Sequence, residues 1–516
     1  MLVTTSSAAL IGVEAYVVEV EVDIATGLPD YIIVGLPDAS IRESKERVKA
    51  ALKNGGYEFP SRKVTVNLAP ADRRKEGPSF DLSIALGHLA FLEFVPVEPL
   101  RDYLFMGELA LDGRLKPVKG VLSAAQLARR LGFRGLVVPK DNEKEAALLG
   151  DLAVYGFKDL GQVVGFLRNP EGTAPCRCDL ADLMGEEAAE PDFREVKGQH
   201  HVKRALEVAA AGGHNVLLIG PPGAGKTMLA RRLPSILPGM SFEEMVGVTQ
   251  VYSAAGLLRG RGAVVRRPFR APHHTVTDAG LIGGGLVPRP GEVSLAHHGV
   301  LFLDELPEFR RKVLEDLRQP IEDGVVTIVR SGMSATFPSA FMFVAAMNPC
   351  EDVFRGMRGG AGGRGASGET ERDCTESQRS RYYAKISGPL LDRIDIQVEV
   401  PAVKFAEIRS RAEAEPSAAI KARVEAARER QRERFRGKKI FSNAQMGVRE
   451  IREFCRIDAE GEKLLETAVS KLGFSARAYD RSLKVARTIA DLAGETEISP
   501  SHLAEAIQYR AMDRYY

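Results

Sequence analysis

The sequence predicts an α/β protein of several domains, with a parallel-sheet core that carries a phosphate-binding loop, an α/β unit before it and helices after it. Three observations predict this. An apolar run, Val216 to Ile219, leads into GPPGAGKT (Gly220 to Thr227), which opens into the helix-like MLARRLPSI. A second apolar run, VLFLDE from Val300 to Glu305, ends in paired acids. A third, FMFVAAMN, ends in Asn348. Strands apolar along their whole length belong to a sheet buried on both faces, and the ligands of such sheets sit beyond the strands' C-terminal ends.

Composition sets the frame. A chain of 516 residues holds roughly two to four domains. Its 44% hydrophobic and 27% charged residues are those of a soluble globular protein. Net charge is only +2, so any nucleic-acid contact must come from local patches. No apolar run is long enough to span a bilayer, and MLVTTSSAALIGVEAYVV lacks the basic start and continuous apolar core of a secretory signal, so no membrane partner is expected. Cys176, Cys178, Cys350, Cys374 and Cys455 make no disulfide framework at this length, which places the chain in a reducing cytoplasm.

In chain order, residues 1–168 read as an α/β unit. VVEVEVDI (Val17 to Ile24) alternates with period two, and YIIVGLP follows it. Asp38 is placed to cap a helix whose Ile41, Val48 and Leu52 share a face, with Asn54-Gly55-Gly56 ending it. KVTVNLAP reads as a strand, EGPSFDLSIALGHLAF as a turn into an apolar helix, and GELALDGRLKPVKG as a hairpin turning at Asp112-Gly113. Residues 169–190 read as a polar, acidic linker, in which Cys176-Arg177-Cys178 is an exposed thiol pair rather than a metal site, since one C-x-C lacks partners.

Residues 191–400 form the core. Gly223 and Gly225 let the loop curl so that successive backbone N–H groups meet a phosphate at a helix N-terminus, with Gly220, Pro221, Pro222 and Ala224 completing the cofactor-binding turn. Lys226 then reaches the β- and γ-phosphates of ATP, and Thr227 offers its hydroxyl to Mg²⁺. Asp304 is placed to join the Mg²⁺ shell and Glu305 to polarise an attacking water. Asn348, before Pro349, suits a turn, yet its strand-end position fits a group that orients that water. Residues 267–299 are a Gly/Pro/His-rich insertion before the acidic strand; the spacing of His273, His274, His297 and His298 matches no metal pattern. VVTIVRSGMSATF reads as a hairpin. Residues 401–516 read as helices, of which Ala418 to Lys439 is strongly basic; an exposed helix and a nucleic-acid face are both open readings.

Within the first unit, GPS (Gly77 to Ser79), GELALDGRLKPVKG (Gly107 to Gly120) and VVPKDNEKEA (Val137 to Ala146) resemble the proteolytic domain of Lon and the related domain of RadA-type recombination proteins. The resemblance puts Ser79 at the nucleophile position and Leu122 where Lon has its lysine. A serine without a base is inert, so a proteolytically inactive Lon-like domain is expected.

In the core, the loop, the acidic strand, the insertion, the hairpin before AAMNP and SGPLLDRIDI (Ser387 to Ile396) resemble the Mg-chelatase/MCM branch of AAA+ ATPases. With the Lon-like unit in front, nearly the whole chain is similar to the ComM (YifB) family of Mg-chelatase-like ATPases. That resemblance implies a RecA-like core, a helical lid and a ring, most simply a homohexamer. It implies that Arg393 reaches a neighbour's nucleotide, although pairing with Asp392 or Asp395 is the plainer alternative, and that Arg477 senses nucleotide from the lid, with Arg481 in reserve. It implies DNA as the polymer moved, by helicase or branch-migration activity in recombination and natural transformation, with recombination proteins as partners. A Mg-chelatase motor for metal insertion into a porphyrin, an ATP-dependent protein unfoldase and an ATP-switched scaffold are the competing readings. The family commonly carries two C-x-C pairs after the Asn348 position; here Asp352 and Arg372 stand in two of the four places beside Cys350 and Cys374, so no structural zinc is expected. The Gly/Arg-rich loop 355–373 between them is read as disordered in the free protein, either solvated or touching DNA phosphates.

Overall fold

A computed structural model describes residues 2–178, 191–350 and 375–510, apart from 259, 286, 331, 332, 404–408, 410–413, 439 and 473. The loop 355–373, Cys374 and most of the linker lie outside the described residues.

The N-terminal strands are β1 (Leu2–Ile11), β2 (Glu14–Ala25), β3 (Asp30–Val34), β4 (Lys63–Ala69), β5 (Tyr103–Phe105), β6 (Glu108–Leu109), β7 (Leu115–Lys116), β8 (Gly135–Pro139) and β9 (Ala153–Phe157). Seven of them form a mixed sheet in the order β3-β4-β2-β1-β5-β8-β9, and β6 pairs with β7. The period-two stretch is β2, whose Val18, Val20, Val22 and Ile24 are buried. Its partner β1 carries no apolar alternation: Thr5 and Ser7 are buried instead, with Ser7 Oγ donating to the Phe105 carbonyl at 2.8 Å. Helix α1 (Ala39–Asn54) starts where the Asp38 carboxylate accepts from the Ile41 N–H at 2.8 Å, and it buries Ile41, Val48 and Leu52. It packs on one sheet face with α2 (Asp81–Phe91). On the other face lies α3 (Val121–Leu131); α4 (Leu160–Arg168) closes the unit.

The core contains β10 (Val216–Ile219), β11 (Phe269–Arg270), β12 (Gly283–Gly284), β13 (Arg289–Pro290), β14 (Val300–Leu303), β15 (Val325–Arg330), β16 (Met333–Pro338), β17 (Met342–Met347) and β18 (Ile396–Glu399). Five make an all-parallel sheet in the order β11-β14-β17-β10-β18, while β12–β13 and β15–β16 are hairpin ladders. The residues 267–299, read as an insertion, thus supply the edge strand β11. Alternate residues of the central strands enter different layers: Leu217, Leu303 and Phe343 go to one, Leu218, Phe302 and Val344 to the other. Both faces are covered, as a parallel sheet requires.

The layer of Leu218, Phe302 and Val344 contains α5 (His200–Gly212) and α6 (Lys226–Arg232); α7 (Phe242–Ala255) joins the cluster around α3, and α8 (Glu376–Tyr383) packs in the layer of Leu217 and Leu303. Helix α6 stops at Arg232 because Pro234 converts the next turn to 3₁₀. The C-terminal helices α9 (Ser417–Arg434), α10 (Ala459–Leu472), α11 (Ala476–Ala493) and α12 (Pro500–Gln508) share the core of the layer that contains α5 and α6. Helix α9 is the basic stretch; much of it is exposed, and several of its arginines are paired within the chain. Arg423 binds Glu207 and Glu415, Arg428 donates to the Phe441 carbonyl, and Arg434 donates to Asp491 at 2.8 Å.

The two α/β units are docked. Met245 and Val246 of α7 join Val121 and Leu122 of α3 in one apolar cluster, and Ser253 donates to the buried Glu145 carboxylate. Cys176 and Cys178, expected to be exposed, are half-buried against the same cluster. At the β1–β2 turn, Ile11 and Val13 pack into the core layer that contains the β15–β16 hairpin. Among the described residues no helix is long and apolar enough to cross a membrane.

Candidate nucleotide-binding site

The chain leaves β10 at Ile219 and turns at once, with the Gly220 N–H donating to the Met347 carbonyl at 3.2 Å. A side chain at Gly220 would meet the Val400 carbonyl oxygen at 2.1 Å, so this position is closed to anything larger. Gly223 and Gly225 take φ of +79° and +88°, the left-handed conformation that lets the loop curl into α6. Pro221 and Pro222 follow in the loop, and the Ala224 N–H closes the turn on the Pro221 carbonyl at 3.2 Å.

The polar groups then converge. Lys226 Nζ donates to the carbonyls of Gly220 at 2.6 Å and Pro221 at 2.9 Å, and to Asn348 Oδ1 at 2.8 Å. Thr227 Oγ1 donates to Asp304 Oδ2 at 2.5 Å. Three strand ends (β10, β14 and β17) therefore bring together Lys226, Thr227, Asp304 and Asn348, residues up to 122 positions apart in the chain. A hydroxyl and a carboxylate are hard oxygen donors of the kind Mg²⁺ takes, and an ammonium in a glycine-lined loop fits a polyphosphate, so the residues present suit ATP with Mg²⁺.

Glu305 differs from its neighbours. Its side chain is exposed, and its backbone sits at φ +53°, a left-handed conformation that costs a non-glycine residue energy. Its Oε2 lies 3.6 Å from His274 Nδ1, and the His273 ring packs on His274 at 4.0 Å. The other histidine pair is structural: His297 is buried, its Nδ1 accepts from the Ala340 N–H at 3.1 Å, and burial beside His298 pulls its pKa down to about 3.

Arg393 and Arg477 lie elsewhere. Arg393 donates to the Pro389 carbonyl and pairs with Glu322, not with Asp392 or Asp395. Arg477, exposed, donates to Asp392 at 3.2 Å. Arg481 donates to the Ile394 carbonyl at 3.2 Å and lies 3.5 Å from Asp395. The three arginines gather around the segment leading into β18, and their bonds go to that segment and to Glu322 rather than to the phosphate-binding loop of the same chain. In the N-terminal unit, Leu122 is wholly buried with its N–H donated to Glu145 at 3.1 Å, and Ser79 is half-buried.

Two participants were not legible in the sequence. Gln199, at φ +53° before α5, donates through Nε2 to the Ala224 carbonyl at 2.7 Å and to the Pro401 carbonyl at 3.1 Å, bracing the loop from outside. The only local signal is the Gly198-Gln199 break before the helix. Tyr382 donates to the Asn348 carbonyl at 2.9 Å, and burial raises its phenol pKa.

Comparison with known proteins gives a consistent picture. Residues 192–408 match the family described as "Magnesium chelatase, subunit ChlI", residues 20–142 match "Subunit ChlI of Mg-chelatase", and residues 414–510 match "Magnesium chelatase, subunit ChlI C-terminal". The uncharacterized protein YifB of Salmonella typhimurium is 43% identical over 507 residues, covering 98% of this chain and 96% of that protein. Competence protein ComM of Haemophilus influenzae is 43% identical over 513 residues, covering 98% and 97%. A shorter match, 28% identical over 153 residues, is to Lon protease 2 of Bacillus subtilis, covering 28% of this chain and 27% of that protein.

Proposed function

The chain belongs to the ComM/YifB family of Mg-chelatase-like AAA+ proteins, and from that premise we propose that it is an ATP-driven ring motor that moves along DNA. One observation carries the ATPase reading: the convergence of Lys226, Thr227, Asp304 and Asn348 at the ends of adjacent parallel strands.

The chemistry follows from these groups. With ATP in the loop, Lys226 exchanges its carbonyl partners for β- and γ-phosphate oxygens, and Asn348, already bonded to Lys226, stays within reach of the attacking water. Thr227 and Asp304 are the residues that would hold Mg²⁺. The metal, when bound, supplies positive charge against the oxygens of the transferring phosphoryl group. Glu305, held outward at the strand end, takes the proton of the attacking water. Arg393 stabilises the transition-state charge from the neighbouring subunit, and Arg477, at the same edge, contributes to sensing that subunit's nucleotide. A residue that works across a boundary needs a closed assembly, which supports a homohexameric ring in which subunit motion drives a polymer. The polymer is DNA: a relative is named a competence protein, and helicase or branch-migration activity in recombination and natural transformation, alongside recombination proteins, fits that name. The N-terminal unit is a Lon-like domain without proteolytic activity, Leu122 leaving Ser79 without a base. The cell compartment proposed is the cytoplasm.

A second reading, a motor subunit that drives metal insertion into a porphyrin, is supported by the descriptions of the matching families. ATP-dependent strand displacement on forked duplex DNA separates the two. The wild type displaces the strand, whereas Lys226→Ala and Glu305→Gln do not. A scaffold that only needs ATP bound would keep its function in Glu305→Gln, whose hydrolysis falls by about 10²–10⁴-fold while nucleotide still binds. No displacement on any forked substrate would overturn the DNA motor.

A further inference from the structure

Each arginine at the β18 edge is held by an acid of its own chain, and the pairs differ in burial. Arg477 and Asp392 are both open to water, where screening leaves such a pair little weight. Asp395, beside Arg481, accepts from the Asn215 N–H at 3.2 Å and bonds the buried His214, so it belongs to the fold. Arg393 is unlike either. Its side chain is 8% exposed, whereas that of its partner Glu322 is 54% exposed. Its Nε is buried without a hydrogen-bond partner among the described residues. A buried guanidinium whose Nε–H is unused, and whose other nitrogens meet the Pro389 carbonyl and one exposed carboxylate, is incompletely satisfied. It also lines a cavity of about 660 Å³ between the Arg318–Asp323 helix and the β15–β16 hairpin.

We infer that Glu322 is the resting partner of Arg393: a positioning residue that holds this arginine within its own protomer until the triphosphate bound to a neighbouring copy competes for it. The inference rests on the reading of Arg393 as a group that acts across the subunit boundary. A triphosphate carries several negative charges and paired oxygens suited to a guanidinium fork, so it outcompetes one water-exposed carboxylate. The hydrogen bond from the Arg393 guanidinium holds the Glu322 carboxyl below its ordinary range. Glu322 stands two residues before Gly324, which at φ +66° turns the helix into β15. Exchange of partners at Arg393 therefore also frees the segment that leads into the hairpin, linking nucleotide at the boundary to hairpin position through one contact.

The test is ATP hydrolysis by the full chain as a function of its own concentration, for wild type, Glu322→Gln, Glu322→Ala, Glu322→Asp and Arg393→Ala. Without the competing charge, Glu322→Gln and Glu322→Ala reach half-maximal hydrolysis at about two- to fivefold lower protein concentration, with turnover at saturation unchanged. Glu322→Asp follows the wild type. Arg393→Ala loses about a thousandfold or more at every concentration. A merely structural role for Glu322 would lower saturating turnover or thermal stability without moving the half-maximal concentration. Curves for Glu322→Gln and Glu322→Ala that coincide with wild type, while Arg393→Ala is inactive, overturn the resting partner and leave the reading of Arg393 intact. Loss of saturating turnover in both variants overturns it too, because Glu322 would then be needed in the working state. Wild-type hydrolysis by Arg393→Ala overturns the underlying reading itself.

Discussion

The Lys226 ammonium donates to the carbonyls of Gly220 and Pro221 in the loop and to Asn348. These bonds fix its position over the loop, which lowers the cost of ordering it on binding. Buried imidazoles carry a separate consequence. His88 is wholly buried, its Nδ1 is 2.8 Å from the Ile84 carbonyl, and burial pulls its pKa down to about 4. His297 is pulled down to about 3. Unfolded histidines take up protons near pH 6.5 while these resist. Their contribution to stability is therefore complete above that pH and is lost as pH falls through about 6.5 towards the folded values, by on the order of 3 kcal/mol for His88 alone. Denaturant midpoints of the wild type should fall between pH 7 and pH 5, and His88→Phe, which keeps an aromatic ring beside Tyr31 and Phe59, should fall less steeply. Parallel declines would remove His88 as a source of the pH dependence.

At the scale of elements, what was legible depended on whether the determinants are local. Helix α1 could be read end to end, because Asp38, the Ile41–Val48–Leu52 face and Gly55 all lie within the segment itself. The phosphate-binding loop and the acidic strand end were legible for the same reason. Strand β1 was not, since its Thr5 and Ser7 are buried by hydrogen bonds to residues far along the chain. The exposure of the basic helix α9 agrees with its charge pattern, but its ion pairs were not legible: Arg423, Arg428 and Arg434 are bound by partners that only the tertiary fold supplies. Asp491 is the centre of that arrangement, wholly buried and bonded by Arg434, Arg487 and Asn443. Asp491→Ala leaves buried guanidinium charge uncompensated and should destabilise the protein by about 3–5 kcal/mol, whereas Arg432→Ala, at an exposed pair with Glu429, should change stability by less than about 1 kcal/mol. Unfolding in denaturant checks both; similar small effects would mean that the buried charges contribute little.

Across the whole molecule, the two α/β units are joined at more than one place. Helix α3 meets α7, and the β1–β2 turn reaches the hairpin layer, where a side chain on Gly12 would stand 2.9 Å from the Thr336 carbonyl oxygen. The N-terminal unit thus rests against the hairpin that follows Glu322. Neither contact was legible, because each joins segments that are separately ordinary. Of the residues singled out in the sequence, Lys226, Thr227, Asp304 and Asn348 lie together, while Arg393 and Arg477 pair with Glu322 and Asp392. The central claim, that hydrolysis at this site drives movement on DNA, is tested most directly by the ATPase rate of the purified protein alone and with single-stranded, duplex and forked DNA over a salt series. The account predicts that DNA raises the rate and that the increase fades as salt rises, since phosphate contacts weaken with ionic strength. A rate that no DNA changes at any salt concentration would contradict it.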